Sequence, residues 1–412
     1  MNGRVDVRAG DGTHTLGEFL EQWAAGPGDA GSDSGRQLSV CLYTPSADPS
    51  GMGEHMLDLV AEYVPDIQVS LMCWPTEAGQ RVLTRAAALG ATTLALPRPR
   101  DPAFAEVITD FLHAHPADVF HVHVGTGRED FAGARAASAA GVPAIVQTQH
   151  QPWLLSSPAK RASFFHGLQD VDRLIAVSQA QRRTYERIGV PAERFCTVPN
   201  GIGARGAGPG RGAARKTLGL DPDQPVVMTV GRLAPMKGQR QLIESAPDLR
   251  ARFPGLAVLI VGEGHLHRQL AEQADALGVG GCVRLMGHRP DARLLLDAAD
   301  VFVLPSLHEG MPLVAMEAME AGLPVVATRV IGSEEVVVHG ETGLLTPAAD
   351  APALGAALAE LLADPALRER LGRAGRRRYV DHFTRRRMAE QTRAVYATVL
   401  EAVVPVPVVS TR

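Results

Sequence analysis

The sequence predicts an α/β protein made of two Rossmann-like domains whose parallel sheets face a central cleft. Three observations carry that expectation. Short apolar runs recur along the chain, each followed by a segment long enough for a helix. Most of the runs are apolar throughout rather than alternating, as strands buried on both faces are. Near the middle the chain passes through Gly201-Ile-Gly-Ala-Arg-Gly-Ala-Gly-Pro-Gly-Arg-Gly212, which divides it into near-equal halves. A length of 412 residues also exceeds what one ordinary core fills.

Residues 1–36 are rich in Gly and Asp, lack a basic-then-apolar leader pattern and read as a loose N-terminal extension. The first domain, 37–200, is expected to place strands at Leu38–Thr44, Ile67–Trp74, Thr92–Leu96, Asp118–Val124, Ala144–Gln149, Arg173–Val177 and Phe195–Val198. A flexible Gly-rich linker is expected over 201–222. The second domain, 223–383, is expected to place strands at Val226–Val230, Ala257–Val261, Val283–Met286, Val301–Leu304, Val325–Thr328 and Gly343–Thr346. Segments such as Ala78–Leu89 and Leu266–Leu277 are long enough for the intervening helices. A last helix over Thr384–Val403, with Met388, Val395, Val399 and Ala402 on one side, is expected to cross back to the first domain. The tail beyond it is apolar but short and broken by prolines.

Composition narrows the function classes. Hydrophobic residues at 45% and charged residues at 21% are those of a soluble globular protein. A net charge of −4 argues against a general nucleic-acid partner. No run of 18 apolar residues exists, so no spanning helix is expected, and nothing supports even peripheral membrane contact. Cys41, Cys73, Cys196 and Cys282 have no metal-type spacing and read as reduced thiols of a cytoplasmic protein. Oligomeric state leaves no signal.

Two stretches carry chemistry. In the second domain, Glu309-Gly-Met-Pro-Leu-Val-Ala-Met-Glu317 follows a short strand and opens a helix. Pro312 suits the first helical turn, because its missing N–H would have no intrahelical partner there. One carboxylate then sits on the strand-to-helix loop, beside free amides that form a ready anion site, and the other lies inside the helix. Taken alone, two surface glutamates explain the stretch equally well. Val230-Gly-Arg-Leu-Ala-Pro-Met-Lys-Gly238 opens the same domain. Its Arg232 offers a flat fork of donors and Lys237 a point charge, a pair that suits a diphosphate. Alone, two solvated loop cations are the simpler reading. All four groups, however, fall at strand carboxyl ends of one domain, where such sheets bind ligands.

Gly231-Arg232 through Lys237-Gly238, followed by Glu309-x7-Glu317, resembles the signature of the retaining glycosyltransferase family 4, which has the GT-B fold. Asp118-Val-Phe-His-Val-His123, Ile175-Ala-Val-Ser178, Val198-Pro-Asn-Gly-Ile202, Val261-Gly-Glu-Gly264 and Gly340-Glu-Thr-Gly-Leu-Leu345 extend the resemblance over about Leu38 to Val403. The resemblance implies that Arg232 and Lys237 hold the donor diphosphate and that Glu309 contacts hydroxyls of the transferred sugar. It implies that the amides of Met311, Leu313 and Val314, around Gly310 and Pro312, cradle a phosphate, and that Glu317 takes both ribose hydroxyls. Gly287-His288-Arg289 would lie against the base. Gly51 and Gly53, in Ser50-Gly-Met-Gly53, occupy the place of the family's Gly-rich loop, although the family usually has adjacent glycines. His123 would point at the donor sugar. The implied co-substrate is a nucleoside diphosphate sugar, UDP-linked in the first instance, with no metal and no other cofactor. The acceptor is a small molecule or a lipid or envelope component, and a high-GC coding bias adds natural-product biosynthesis as a setting.

His121 and His123 alternate along one strand and are expected on opposite faces, His121 as a packed sheet residue. A metal site is not expected, because His113/His115, His121/His123 and His265/His267 are bare i, i+2 pairs. Asp221-Pro-Asp223 imitates a metal motif but sits in the linker region. Acceptor candidates are Gln149, His150 and Trp153, with Arg128-Glu129-Asp130 as a further loop; any of these is equally a loop surface. Three competing functions stand beside transfer. A Rossmann oxidoreductase lacks its Gly-x-Gly-x-x-Gly after the first strand. A non-catalytic nucleotide-sugar binder would have been free to shed any of the four charged groups. An epimerase shares a two-Rossmann layout and differs in needing no acceptor.

Overall fold

The structure, a computed structural model, describes residues 37–125, 131–151 and 157–403. The N-terminal extension, the proline-broken tail, Arg128-Glu129-Asp130 and Trp153 lie outside the described residues.

Among the described residues, thirteen parallel strands form two sheets. The first holds β1 (Ser39–Thr44), β2 (Gln68–Cys73), β3 (Thr92–Ala95), β4 (Val119–Val124), β5 (Ala144–Gln149), β6 (Arg173–Ala176) and β7 (Phe195–Thr197) in the order 3-2-1-4-5-6-7. The second holds β8 (Val226–Val230), β9 (Ala257–Val261), β10 (Val283–Leu285), β11 (Val301–Leu304), β12 (Val325–Thr328) and β13 (Gly343–Thr346) in the order 10-9-8-11-12-13. Each predicted apolar run is a strand, with ends that move by a residue or so. The central strands β1, β4, β5, β9, β11 and β12 are buried along their whole length, which is why their sequences do not alternate. Each sheet reverses its winding once, between β1 and β4 and between β8 and β11. Those reversals splay neighbouring loops apart and leave a crevice at the carboxyl ends of the strands.

The linker expectation needs correction. Ile202 pairs with Thr384: its N–H donates to the Phe383 carbonyl at 2.9 Å, and its own carbonyl accepts from Arg385 at 2.9 Å. The Arg205 amide donates to Glu320 and its guanidinium to Asp297 at 2.6 Å. From Arg211 to Thr217 the chain is helical, and Ala214, Leu218 and Leu220 join the second domain's core. Arg215 is 2% exposed and is held by Asp300, 3.0 Å away, and by three carbonyls. Glycine content suggested freedom here, but a buried arginine and paired backbones fix the segment. At Gly201 a side chain would meet the Thr384 carbonyl at 2.2 Å, so glycine serves close approach there rather than flexibility.

The last helix, Arg385–Val403, lies on the first domain against the Ser50–Tyr63 helix and β5. Met388, Val395 and Val399 enter its core, whereas Ala402 is exposed, contrary to the expected stripe. Tyr396 reaches further in, its hydroxyl 2.6 Å from His121 Nδ1.

Candidate functional site

In the second sheet the reversal lies between β8 and β11, and charged groups singled out in the sequence gather on the loops that follow these two strands. The loop after β8 carries Arg232 and Lys237; the loop after β11 carries Glu309. Lys237 Nζ donates to Glu309 Oε1 at 2.7 Å, and Ser306 Oγ donates to the same oxygen at 2.7 Å. Glu309 is only 5% exposed, so its charge is balanced by this pair rather than by water. Ser306 was not read from the sequence, since a serine three residues before a glutamate carries no pattern. Gly238, at φ 66°, turns the chain so tightly past Pro305 that a Cβ would sit 1.9 Å from that carbonyl. This contact binds the two loops together and sets Lys237 beside Glu309.

The helix over Leu313–Glu320 starts one residue later than expected. Pro312 is its N-cap, in extended conformation, and no side chain caps the first turn. The amides of Leu313 and Val314 therefore remain available to an anion. Asn200 of the first domain ties this start down: its Nδ2 donates to the Met311 carbonyl at 3.0 Å and its backbone N–H to Met311 Sδ at 3.2 Å. Gly310 passes directly under His150, where a Cβ would be 1.9 Å from the His150 carbonyl.

Glu317 lies two turns of loop and helix from Glu309, with an 18% exposed side chain. Burial pushes its carboxyl up to about 7, opposed by Arg293 and reinforced by Glu54, Asp58 and Glu320. Arg293 approaches it only to 3.6 Å and gives its better contact, 2.8 Å, to Glu320. Asp58, also buried, is pushed up to about 6 against the pull of Arg385. An acidic, partly desolvated pocket of this kind accepts hydroxyl donors readily.

Other expected contacts divide. Arg232 spans the crevice to Asp48 of the first domain at 2.8 Å, with both side chains about half exposed. Arg289 is committed to Asp291 at 2.8 and 2.7 Å, His288 is exposed, and Gly287 pairs with Gly262 at a φ of 67°. Gly231 follows β8, and a Cβ there would just touch the Lys237 side chain, 4.0 Å away. Gly51 and Gly53 lie inside the first turn of the Ser50–Tyr63 helix rather than in a loop before it. Gly51 is exposed and faces Leu313 of the second domain, whereas the missing side chain of Gly53 faces Val82 and Pro49. The glycine at 53 answers a packing need. Ser50, at φ 36°, holds a backbone conformation rare outside glycine where this helix begins at the crevice.

His121 and His123 share one face of β4, their ring centroids 4.1 Å apart, so the expectation of opposite faces is wrong. Residues two apart on a strand point the same way. Both nitrogens of His121 are engaged, by Tyr396 and by Thr148 Oγ1 at 2.7 Å. His123 Nδ1 lies 3.1 Å from His150 Nε2, and its Nε2 is buried without a partner. His55, from the helix after β1, joins them with Nδ1 3.1 Å from Asn200 Oδ1. Burial, with neighbouring imidazoles adding to it, holds His121, His123 and His150 well below the usual histidine range. Burial pushes His55 down to about 4. His55 was missed because nothing in the sequence links it to β4. Gln149 is buried, accepting from the Tyr185 hydroxyl at 3.0 Å, while His150 is partly exposed.

Beyond Glu309 the crevice widens into a cavity of about 450 Å³, lined by Ala180, Arg183, His308, Arg329 and Glu335 among others. Glu335 crosses it to cap the helix starting at Gln179, accepting from the amides of Gln179 at 2.9 Å and Ala180 at 2.7 Å. All four cysteines are free, and among the described residues no helix is long and apolar enough to cross a membrane.

Residues 50–201 match the family model described as a glycosyl transferase 4-like domain, and residues 211–378 match the one described as glycosyl transferases group 1. The chain is 33% identical over 262 residues to a GDP-mannose-dependent alpha-(1-6)-phosphatidylinositol monomannoside mannosyltransferase of Mycolicibacterium smegmatis, covering 61% of this chain and 68% of that one. It is 39% identical over 171 residues to the lipopolysaccharide core biosynthesis glycosyltransferase LpsE of Rhizobium meliloti, covering 42% of this chain but only 49% of that relative. The crystal structure of HepE from Anabaena in complex with UDP superposes with a TM-score of 0.76 at 20% identity, covering 88% of this chain and all of HepE, a likeness of fold. Two matches in chain order, one for each sheet, and a relative spanned over two thirds of its length place this chain among the group 1, family 4-type glycosyltransferases, with the GT-B fold.

Proposed function

We propose that the protein transfers a sugar, a hexose or N-acetylhexosamine, from a nucleoside diphosphate sugar to a small-molecule or cell-envelope acceptor, with retention at the anomeric carbon. The observation that carries this reading is the buried Lys237–Glu309 pair beside an uncapped helix start at a sheet reversal. In it Arg232, Lys237 and the amides of Leu313 and Val314 offset diphosphate charge as the leaving group departs. Glu309 positions sugar hydroxyls, His123 faces the sugar, and Glu317 accepts from the ribose. The acceptor proton passes to the donor's own phosphate oxygen on the face that the leaving group vacates. No protein nucleophile is assigned, and the protein's share is placement and electrostatics. The acceptor enters from the first domain, past His150 and the cavity lined by Arg183. A UDP-sugar is the donor first proposed: HepE was crystallised with UDP, whereas the mannosyltransferase relative is named for GDP-mannose. Natural-product biosynthesis rests on coding bias alone.

A thermal-shift panel of UDP-, GDP- and ADP-sugars tests the reading, because a bound donor raises apparent stability with the logarithm of its excess. The expected result is a shift with a UDP-sugar, reduced in Arg232→Ala, and nucleoside diphosphate release once an acceptor is supplied. A shift with a GDP-sugar alone corrects the base. Release of no nucleotide with any donor and acceptor mixture overturns the reading, and turnover of a donor without acceptor marks an epimerase.

A further inference from the structure

Three imidazoles from three separate segments converge where β4 and β5 end. One ring nitrogen from each of His55, His123 and His150 lies within 4.8 Å of the others. The His123 Nδ1 to His150 Nε2 separation of 3.1 Å is close to the roughly 3.3 Å between two nitrogens on a tetrahedral zinc ion. His55 Nε2 is buried with no hydrogen-bond partner, a cost that a ligand would remove. Asn200 Oδ1 sits 3.1 Å from His55 Nδ1, which fixes that ring's tautomer and turns Nε2 inward, as the outer partners of metal-bound histidines do. His121, though its ring lies 4.1 Å from that of His123, has both nitrogens occupied and is not a ligand.

We propose that His55, His123 and His150 form a zinc-type transition-metal site at the cleft, with three imidazole ligands and a fourth position for water or a substrate oxygen. The donor set decides the class of ion. Imidazole alone suits Zn²⁺, Ni²⁺ or Cu²⁺, whereas Mg²⁺ and Ca²⁺ require oxygen ligands, and none of the carboxylates described joins the group. Gly310 of the second domain backs onto the His150 carbonyl, so an ion here would also brace the contact between the domains. The i, i+2 pairs weighed in the sequence could not reveal this set, because only His123 belongs to one of them.

The test is titration of the untagged full chain with Co²⁺, which reports four-coordinate binding by intense visible absorption. This reading does not depend on glycosyl transfer. One equivalent per chain is expected, displaced by Zn²⁺, with affinity at least tenfold weaker in His55→Gln and in His150→Gln. Absence of a stoichiometric four-coordinate spectrum overturns the site, as does binding that both substitutions leave unchanged. Should the variants fail to fold, diethylpyrocarbonate labelling of the unaltered protein decides: Zn²⁺ must protect His150, and equal labelling with and without the ion overturns the proposal.

Discussion

Glu317 is a residue whose placement opposes stability. Its carboxyl is raised to about 7, so the folded state holds a proton that the unfolded chain gives up near 4.5. The stability gained from that proton is complete below pH 4.5 and is lost as pH rises through 7. Glu317→Gln should therefore match the unaltered protein near pH 4.5 and exceed it at pH 8 by up to about 3 kcal/mol. Urea unfolding at the two pH values checks this. The same variant should bind donor more weakly, by about 1.5–3 kcal/mol, if the ribose contact is made.

Lys237 and Glu309 behave in the opposite way. Each is costly without the other, since Glu309 is 5% exposed and Lys237 19%. Lys237→Met should destabilise by about 3 kcal/mol, and Lys237→Met with Glu309→Gln should recover most of that loss while remaining inactive. A double-mutant cycle on stability and turnover separates the two effects. At this scale the sequence was legible where charge and spacing coincide, as in Arg232, Lys237, Glu309 and Glu317. It was silent on Asp48 and His55, whose partners stand far away in the chain, and on Ser306, whose spacing from Glu309 forms no pattern.

Among the elements, the strands could be read because burial on both faces forces runs of apolar residues. The helix starting at Leu313 was read one residue early, because Pro312 suits an N-cap as well as a first turn. Glycine misled twice, since glycine marks freedom and tight approach alike: Gly53 answers Val82, and Gly201 answers Thr384. The C-terminal helix shows what a single buried hydroxyl does for an element. Tyr396→Phe leaves His121 Nδ1 without its partner, in a site too dry for water to replace it. A loss of about 1–3 kcal/mol is expected in chemical denaturation, with faster hydrogen exchange confined to Arg385–Val403.

At the scale of the whole molecule, polar contacts among the described residues join the two domains beside the crevice: Arg232 with Asp48, Glu335 with the start of the Gln179 helix, and Asn200 with Met311. Glu335→Gln weakens the helix-end contact without altering the groups proposed to hold the donor. Its expected effect is a few-fold rise in KM for acceptor with donor affinity unchanged, measured by steady-state kinetics and donor thermal shift.

The chain passes between domains twice, at Asn200–Gly203 and at Phe383–Arg385, and the two passages are bonded side by side. A body fastened at two neighbouring points can swing like a door but cannot easily spin or slide. Arg232, Glu309 and Glu317 would then keep their mutual positions while their distance from the other lip changes along one arc, and every closure would return them to the same register with His150 and Asp48.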